Sequence, residues 1–117
     1  MKKVLVIEND LDTLDLIGFL LEDSGYKVLP SEKRVPIERV IEQDPQLIII
    51  DYFLNDGYGN EICLALKANP LTKHIPVVLI STSPKIKQIA IDSFADGYIE
   101  KPFDINDLER IVRERCA

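Results

Sequence analysis

Several apolar runs of this sequence end in a polar side chain that could take part in chemistry. The side chains concerned are Glu8, Asn9, Asp10, Asp51, Ser81 and Lys101. If the three carboxylates met without a countercharge, they would raise one another's pKa values and cost stability, so a site that holds them needs a cation. Oxygen ligands select Mg²⁺ before zinc or copper. The residue types therefore predict a magnesium site, with the acids after the first run as ligands.

Asp51 is the candidate acceptor of a phosphoryl group. It directly follows the apolar residues 47–50, so a strand there would aim its carboxylate into a crevice. Carboxylates accept phosphoryl groups, and the transfer depends mainly on positioning and charge neutralisation. Lys101 would supply a positive charge and Ser81 a hydroxyl donor for the oxygens of an anion that the metal attracts. Together these residues predict a phosphoryl-transfer site.

Five strands and five helices must position these side chains. Nearly continuous apolar runs predict strands that are buried on both faces, and shorter runs predict two weaker strands. The predicted strands cover residues 4–7, 27–29, 47–50, 77–80 and 98–99. The predicted helices cover residues 11–24, 36–44, 60–67 and 84–94, and a fifth helix begins after Asp104.

Local signals refine the helix ends. Gly25 is placed as a C-terminal cap of the first helix, Pro36 fits the first turn of the second, and Asp104 is an N-cap of the fifth. The fourth helix is predicted to face the core with four apolar residues. These are Ile86, Ile89, Ala90 and Phe94.

The alternation of strands and helices predicts an α/β fold of the doubly wound type. Right-handed crossovers give a five-stranded parallel sheet with helices on both faces, in the flavodoxin-like order 2-1-3-4-5. In such sheets the functional crevice lies at the carboxyl ends of the strands, where the candidate residues are predicted to meet. With 117 residues, we expect one domain over residues 1–117 and no output domain.

Four segments of the chain resemble the response-regulator receiver domains of two-component signalling, and in particular the chemotaxis receivers. They are VLVIEND at 4–10, LIIIDYFLNDGYG at 47–59, IPVVLIST at 75–82 and ADGYIEKPF at 95–103. Each segment alone is weak, but their order and their placement at strand ends make the set specific. The resemblance implies a signalling switch and not a classical enzyme, one that at most phosphorylates and dephosphorylates itself. Its partners would be a histidine kinase or histidine phosphotransfer protein and a downstream protein target.

The resemblance also assigns roles to individual residues. It implies that Asp51 is phosphorylated, that Lys101 and Ser81 contact the phosphoryl oxygens, and that Tyr98 turns inward when Ser81 moves towards the phosphate. It implies that Mg²⁺ is the cofactor. The implied metal ligands are Glu8, Asn9, Asp10, Asp51 and the backbone carbonyl of Phe53.

The chain departs from the family pattern at several positions. Asn9 stands where an Asp usually binds the metal, Asn55 where many members carry Pro, and Tyr58 where an Asp or Asn often precedes the glycine. The stretch between Ser81 and Lys101 is slightly shorter than usual, which predicts a short or irregular fourth helix. A degenerate receiver that binds partners without phosphorylation is therefore an alternative function.

An enzyme of another class is a second alternative. Asp10-Leu11-Asp12-Thr13 imitates the Asp-x-Asp-x-Thr signature of the haloacid-dehalogenase-like phosphatases, with Asp10 as nucleophile. Against it, Glu8 and Asn9 intervene between the strand and this motif, and the chain is short for that fold. Asp10 alone could also be an ordinary helix cap. A flavodoxin-type cofactor site is disfavoured because acids occupy the loop that would need to bind a phosphate.

Composition and charge exclude further classes. The net charge of −6 argues against a nucleic-acid surface. The apolar run 4–7 is too short for a signal peptide or a membrane span, so we expect a cytoplasmic protein, as a monomer or weak homodimer. Cys63 and Cys116 lack metal-ligand spacing and are predicted to be reduced structural thiols. His74, in a loop before a proline, is predicted to lie at the surface.

Overall fold

Each long apolar run of the sequence forms a strand of one parallel sheet in the computed structural model, which describes residues 1–116. The strands are β1 (Lys3–Ile7), β2 (Lys27–Ser31), β3 (Leu47–Asp51), the short β4 (Phe53–Leu54) and β5 (Gly57–Tyr58), β6 (Val77–Ser81) and β7 (Gly97–Glu100). The five long strands are ordered β2-β1-β3-β6-β7. All four neighbouring pairs are parallel. Since β4 and β5 lie outside this sheet, the predicted order 2-1-3-4-5 is confirmed.

Helices cover both faces of the sheet. They are α1 (Leu11–Asp23), α2 (Ile37–Gln43), α3 (Gly59–Ala68), α4 (Ile86–Asp92) and α5 (Ile105–Arg115). Successive residues of each strand point to opposite faces, so β1 contributes Val4 and Val6 to one core and Leu5 and Ile7 to the other. The first core packs against α1 and α5, and the second against α2, α3 and α4. The doubly wound architecture is therefore confirmed.

The predicted caps of α1 and α5 are present. The Asp104 carboxylate accepts a hydrogen bond from the Asn106 backbone N–H at 2.8 Å. Gly25 has a φ of +94° and follows α1 in a Schellman motif, in which its N–H donates to Glu22 O and the Tyr26 N–H to Leu21 O. A left-handed residue is needed there, and glycine adopts that conformation without strain.

The fourth helix corrects the sequence prediction. It covers Ile86–Asp92, so it is short, as the spacing between Ser81 and Lys101 indicated. Phe94 was expected to face the core, but it lies beyond the helix end and is 70% exposed. It occupies the same Schellman position as Gly25, with a φ of +62°, and the N–H of Ala95 donates to Ala90 O. Because the chain turns left-handed at Phe94, the helical periodicity that predicted an inward ring has already ended there.

Two other expectations concern the described residues 1–116. Both thiols are free and buried, and burial raises the pKa of Cys63 to about 11, as expected of a structural thiol. None of the helices in this part of the chain combines the length and the apolar character that a membrane crossing requires.

Candidate functional site

Four strand ends bring the candidate residues to one edge of the sheet. Glu8 follows β1 and its N–H donates to Ser31 O, which holds the strand end in register with β2. Asp51 ends β3 and Ser81 ends the adjacent β6. Lys101 follows β7, and its N–H donates to Ser81 O at 2.7 Å. The expectation that these strand ends converge is confirmed.

The Lys101 ammonium lies between two carboxylates. Its Nζ is 2.5 Å from Glu8 Oε1 and 3.2 Å from Asp51 Oδ2. The side chains are 16%, 0% and 6% exposed for Lys101, Glu8 and Asp51, respectively. One cation therefore faces two carboxylates in a nearly dry environment, where charge interactions are strong.

This imbalance changes the protonation of the site. Burial raises the pKa of Glu8 to about 7, and the neighbouring Asp51 carboxylate adds to the rise while Lys101 opposes it. Burial lowers the pKa of Lys101, but the hydrogen bond to Glu8 and the charge of Asp51 outweigh burial and raise it overall. Glu8 Oε2 is buried and has no hydrogen-bond partner. This unsatisfied buried oxygen belongs to one of two neighbouring carboxylates that share a single lysine, an arrangement that fits a further cation, so the donor set is suited to Mg²⁺.

The chain after β3 holds Asp51 in a fixed orientation. Asp51 Oδ1 accepts a hydrogen bond from the Phe53 N–H at 3.1 Å, while Oδ2 faces Lys101. The N-terminus of α3 packs directly on the Asp51 backbone, because a Cβ at Gly59 would collide with the Asp51 carbonyl oxygen. The carboxylate is thus fixed both by its own turn and by the following helix.

A short hairpin, which sequence analysis did not predict, follows Asp51. Phe53 pairs with Tyr58 and Leu54 with Gly57, in antiparallel register. The Phe53 and Tyr58 rings lie 4.8 and 5.1 Å, centroid to centroid, from the Tyr52 ring. The turn residues Asn-Asp-Gly between aromatic residues are a hairpin signal, but two-residue strands are too short for an alternation pattern to reveal.

The hairpin is held from outside by Arg34, which sequence analysis did not identify. The Arg34 backbone N–H donates to Asp56 Oδ2 at 3.2 Å, and its guanidinium donates to Asp56 O at 3.3 Å. The guanidinium also lies 3.5 Å from Glu61 at the start of α3. Arg34 therefore links the loop after β2 to the wall of the pocket.

Asn9 and Asp10 have different surroundings from Glu8. Asn9 Nδ2 donates to Asn55 Oδ1 at 3.0 Å, which joins the loop after β1 to the hairpin. Asp10 is exposed and caps α1, accepting hydrogen bonds from the Asp12 N–H and the Thr13 hydroxyl. The Thr13 bond is the main reason that the pKa of Asp10 lies below its usual range. Within residues 1–116 no three Asp, Glu, His or Cys side chains are arranged to share an ion. Metal binding by Asp10 stays a prediction.

Ser81 and Tyr98 lie on neighbouring strands, as expected. Ser81 is fully buried, and its Oγ accepts a hydrogen bond from the Ser83 N–H at 3.0 Å. Tyr98 lies opposite Leu79 in the pairing of β6 with β7 and is 40% exposed. Its ring lines a groove of about 760 Å³ between α4, β7 and α5.

Comparisons with known proteins agree on one family. The family model of the response regulator receiver domain matches residues 4–113. RpaA of Synechocystis, described as a DNA-binding dual master transcriptional regulator, is 31% identical over 116 residues. That match covers 97% of this chain and 48% of RpaA, so the chain spans about half the length of this curated relative.

Solved structures agree on the fold. A CheY-like receiver domain protein from Methanospirillum hungatei superposes with a TM-score of 0.84 at 26% identity, covering 99% of this chain and 94% of that one. The response regulator TrrA from Thermotoga maritima, solved in complex with Mg²⁺-BeF, gives a TM-score of 0.82 at 20% identity and covers 98% and 99%, respectively. The sheet order, the strand-end site and the match over residues 4–113 together show that this chain belongs to the response regulator receiver domain family.

Proposed function

We propose that this chain is a phosphorylation switch that takes a phosphoryl group onto Asp51 from a phosphohistidine of a histidine kinase or phosphotransfer protein. The observation that carries the proposal is the contact of Lys101 with both Asp51 and the buried Glu8 carboxylate. The second carboxylate is in excess over the lysine, so the site can accept a divalent cation. The lysine and that cation can then bind an anion at the buried acid. Membership of the receiver family supports the same role.

The transfer uses few groups of this chain. An Asp51 carboxylate oxygen forms the new O–P bond while the N–P bond of the donor breaks, and the imidazole nitrogen keeps the electron pair of that bond. Lys101 exchanges its contact with Glu8 for one with a phosphoryl oxygen, so that its charge offsets the incoming negative charge. The Ser81 hydroxyl donates to another phosphoryl oxygen.

The residues that would hold Mg²⁺ are Glu8, Asn9, Asp51 and the Phe53 carbonyl, with Asp10 as a further acid at the same loop. Bound Mg²⁺ would neutralise the surplus carboxylates and draw in the phosphoryl oxygens. The unpartnered Glu8 Oε2 supports this assignment, as does the Mg²⁺-BeF complex of TrrA.

Acetyl phosphate with Mg²⁺ provides a direct test. We expect wild type to gain the mass of one phosphoryl group, Asp51→Asn to gain none, and Asp23→Asn, an exposed acid at the end of α1, to label as wild type does. Labelling of Asp51→Asn together with loss in Asp10→Asn would support the phosphatase alternative instead. No labelling of folded wild type would favour the degenerate receiver, for which the neutral Asn9 is the supporting observation.

The signal is proposed to leave through the groove that Tyr98 lines. When the phosphoryl group draws the Ser81 hydroxyl inward, it vacates space for the exposed Tyr98 ring, which gives two packing states that a charge can bias. Beryllofluoride with Mg²⁺ should shift backbone amide resonances mainly between residues 82 and 110, and Ser81→Ala should reduce those shifts. Distant shifts concentrated in α1 would contradict this output face.

A further inference from the structure

Two neutral amides connect the loops that flank the pocket. The side chain of Asn9, which follows Glu8, donates through Nδ2 to Oδ1 of Asn55 in the hairpin that follows Asp51, at 3.0 Å. Both positions depart from the family pattern described above, and the structure shows that the two departures contact each other. A contact between two unusual residues at the same site calls for a joint explanation.

The chemistry of an amide explains why the contact matters for a cation. A carboxylate presents an oxygen whichever way it is turned, whereas an amide presents an oxygen at one end and an NH₂ donor at the other. Only the oxygen can bind a hard cation such as Mg²⁺. At position 9 the rotamer of the side chain therefore decides whether it can act as a ligand at all.

The hairpin offers a fixed hydrogen-bond acceptor for the Asn9 NH₂ group, which is the end of the amide that cannot bind a cation. Asn55 lies at the turn between Leu54 and Gly57, which pair with each other, and the adjacent Asp56 is held by Arg34. When Asn55 Oδ1 accepts the Nδ2–H of Asn9, Asn9 Oδ1 is left at the opposite end of the side chain.

We propose that Asn55 is a positioning residue that orients Asn9 so that its Oδ1 can bind the divalent cation required by Glu8 and Asp51. This inference rests on the proposed function, because it assumes that the pocket binds Mg²⁺. Asn55 thus compensates for the loss of a carboxylate at position 9 and acts only through Asn9.

Mg²⁺ titration without any phosphodonor tests the proposal, with calorimetry for affinity and the side-chain NH₂ resonances of Asn9 as a second readout. In the wild-type background Asn55→Ala should weaken Mg²⁺ binding about fivefold, the usual effect of one hydrogen bond. Asn55→Asp, which keeps an acceptor oxygen, should bind at least as tightly as wild type. Asn106→Ala, at an exposed position in α5, serves as the matched control and should bind as wild type does.

The decisive comparison is made in the Asn9→Asp background. A carboxylate at position 9 needs no orienting partner, so Asn55→Ala should leave the affinity of Asn9→Asp unchanged. Equal or tighter binding by Asn55→Ala alone would overturn the proposal, because the amide pair would then be neutral or would compete with the cation. An equal loss in both backgrounds would also overturn it, since Asn55 would then act through the hairpin and not through Asn9.

The proposed function fails in a different way. If neither wild type nor Asn9→Asp bound Mg²⁺ and Asp51 did not label, the proposed function and this inference would both be wrong. If wild type bound Mg²⁺ and Asp51 labelled while the Asn55 variants matched wild type, only the inference would be wrong.

Discussion

Two lysines contact carboxylates at opposite edges of the same sheet, and their surroundings differ. We call the side of the sheet where the strands begin the amino edge, and the side where they end the carboxyl edge. At the amino edge Lys67 Nζ donates to Asp96 Oδ2 at 2.7 Å and to Ile75 O at 2.9 Å. Asp96 Oδ2 also accepts the Val77 N–H at 2.8 Å. One positive charge therefore meets one negative charge, and backbone groups complete the hydrogen bonding of both.

At the carboxyl edge the balance is broken. Lys101 meets two carboxylates, and Glu8 Oε2 has no hydrogen-bond partner. The pair at the amino edge joins α3 to the start of β7 and needs nothing else, so it is structural. The cluster at the carboxyl edge has two carboxylates and one lysine, and a surplus buried negative charge is unfavourable unless a cation neutralises it. The two sites both contain a largely buried lysine, so what distinguishes the candidate functional site from the structural pair is its excess of carboxylates over lysines.

The largest expected effect is at the amino edge. Lys67→Met keeps most of the apolar stem but leaves Asp96 without its countercharge, so the free energy of unfolding should fall by about 2 kcal/mol. Urea denaturation would measure this loss. Labelling of folded Lys67→Met by acetyl phosphate should match wild type, whereas Lys101→Met should label more slowly. Slower labelling of Lys67→Met would show that the Lys67–Asp96 pair also affects phosphorylation, which would contradict its purely structural role.

The pH dependence of stability should come from the carboxyl edge. The pKa of Glu8 is raised from 4.5 to about 7 in the folded chain, so between these values the folded chain keeps a proton that the unfolded chain has lost. The contribution of this group to stability is therefore greatest below pH 4.5 and is lost as the pH rises through about 7.

Glu8→Gln provides the matching measurement for that pH dependence. In EDTA, urea denaturation should show that the free energy of unfolding falls less between pH 5 and pH 8 for this variant than for wild type. The variant should also be the more stable protein at pH 8. Added Mg²⁺ should reduce the difference in stability between the two proteins at pH 8, because it stabilises wild type. If Glu8→Gln were less stable than wild type at pH 8, the negative charge of Glu8 would be favourable in the folded chain, and the carboxyl edge would carry no surplus charge.

A smaller effect is expected from restoring a charge at position 9. Asn9→Asp adds one more negative charge beside Glu8 and Asp51, so it should bind Mg²⁺ about tenfold more tightly, because a unit charge at contact distance contributes at least ~1.4 kcal/mol. Isothermal titration would measure the affinity. Equal or weaker binding would remove Asn9 from the ligand set.

The smallest effect concerns strain near the amino edge. Phe94 adopts a φ of +62° with its ring 70% exposed, and glycine takes this conformation without strain, so Phe94→Gly should stabilise the fold by up to about 1 kcal/mol. Gly25→Ala, at the equivalent position after α1, should have the opposite sign. Thermal denaturation would compare them. A destabilised Phe94→Gly would show that the ring contributes packing that its exposure hides.

Part of the fold and of the site follows from patterns that are local in the chain. Apolar runs predicted the five long strands, and Gly25 and Asp104 predicted helix ends, because strand burial and capping depend on a few neighbouring residues. Asp51, Ser81 and Lys101 were placed together because parallel strands present their carboxyl ends at one edge. The sequence by itself thus determined the architecture and the meeting of Asp51, Ser81 and Lys101 at one end of the sheet.

Only the tertiary structure decided how the members of the pocket meet. The Asn9–Asn55 bond joins residues 46 positions apart, and Lys101 reaches Glu8 across 93, so no local pattern encodes either contact. The exposure of Phe94 likewise depends on where the chain leaves α4 and not on its helical spacing. Side-chain pairing and charge balance arise from strands and loops that are distant in sequence, and they become definite only when the sheet has brought those loops together.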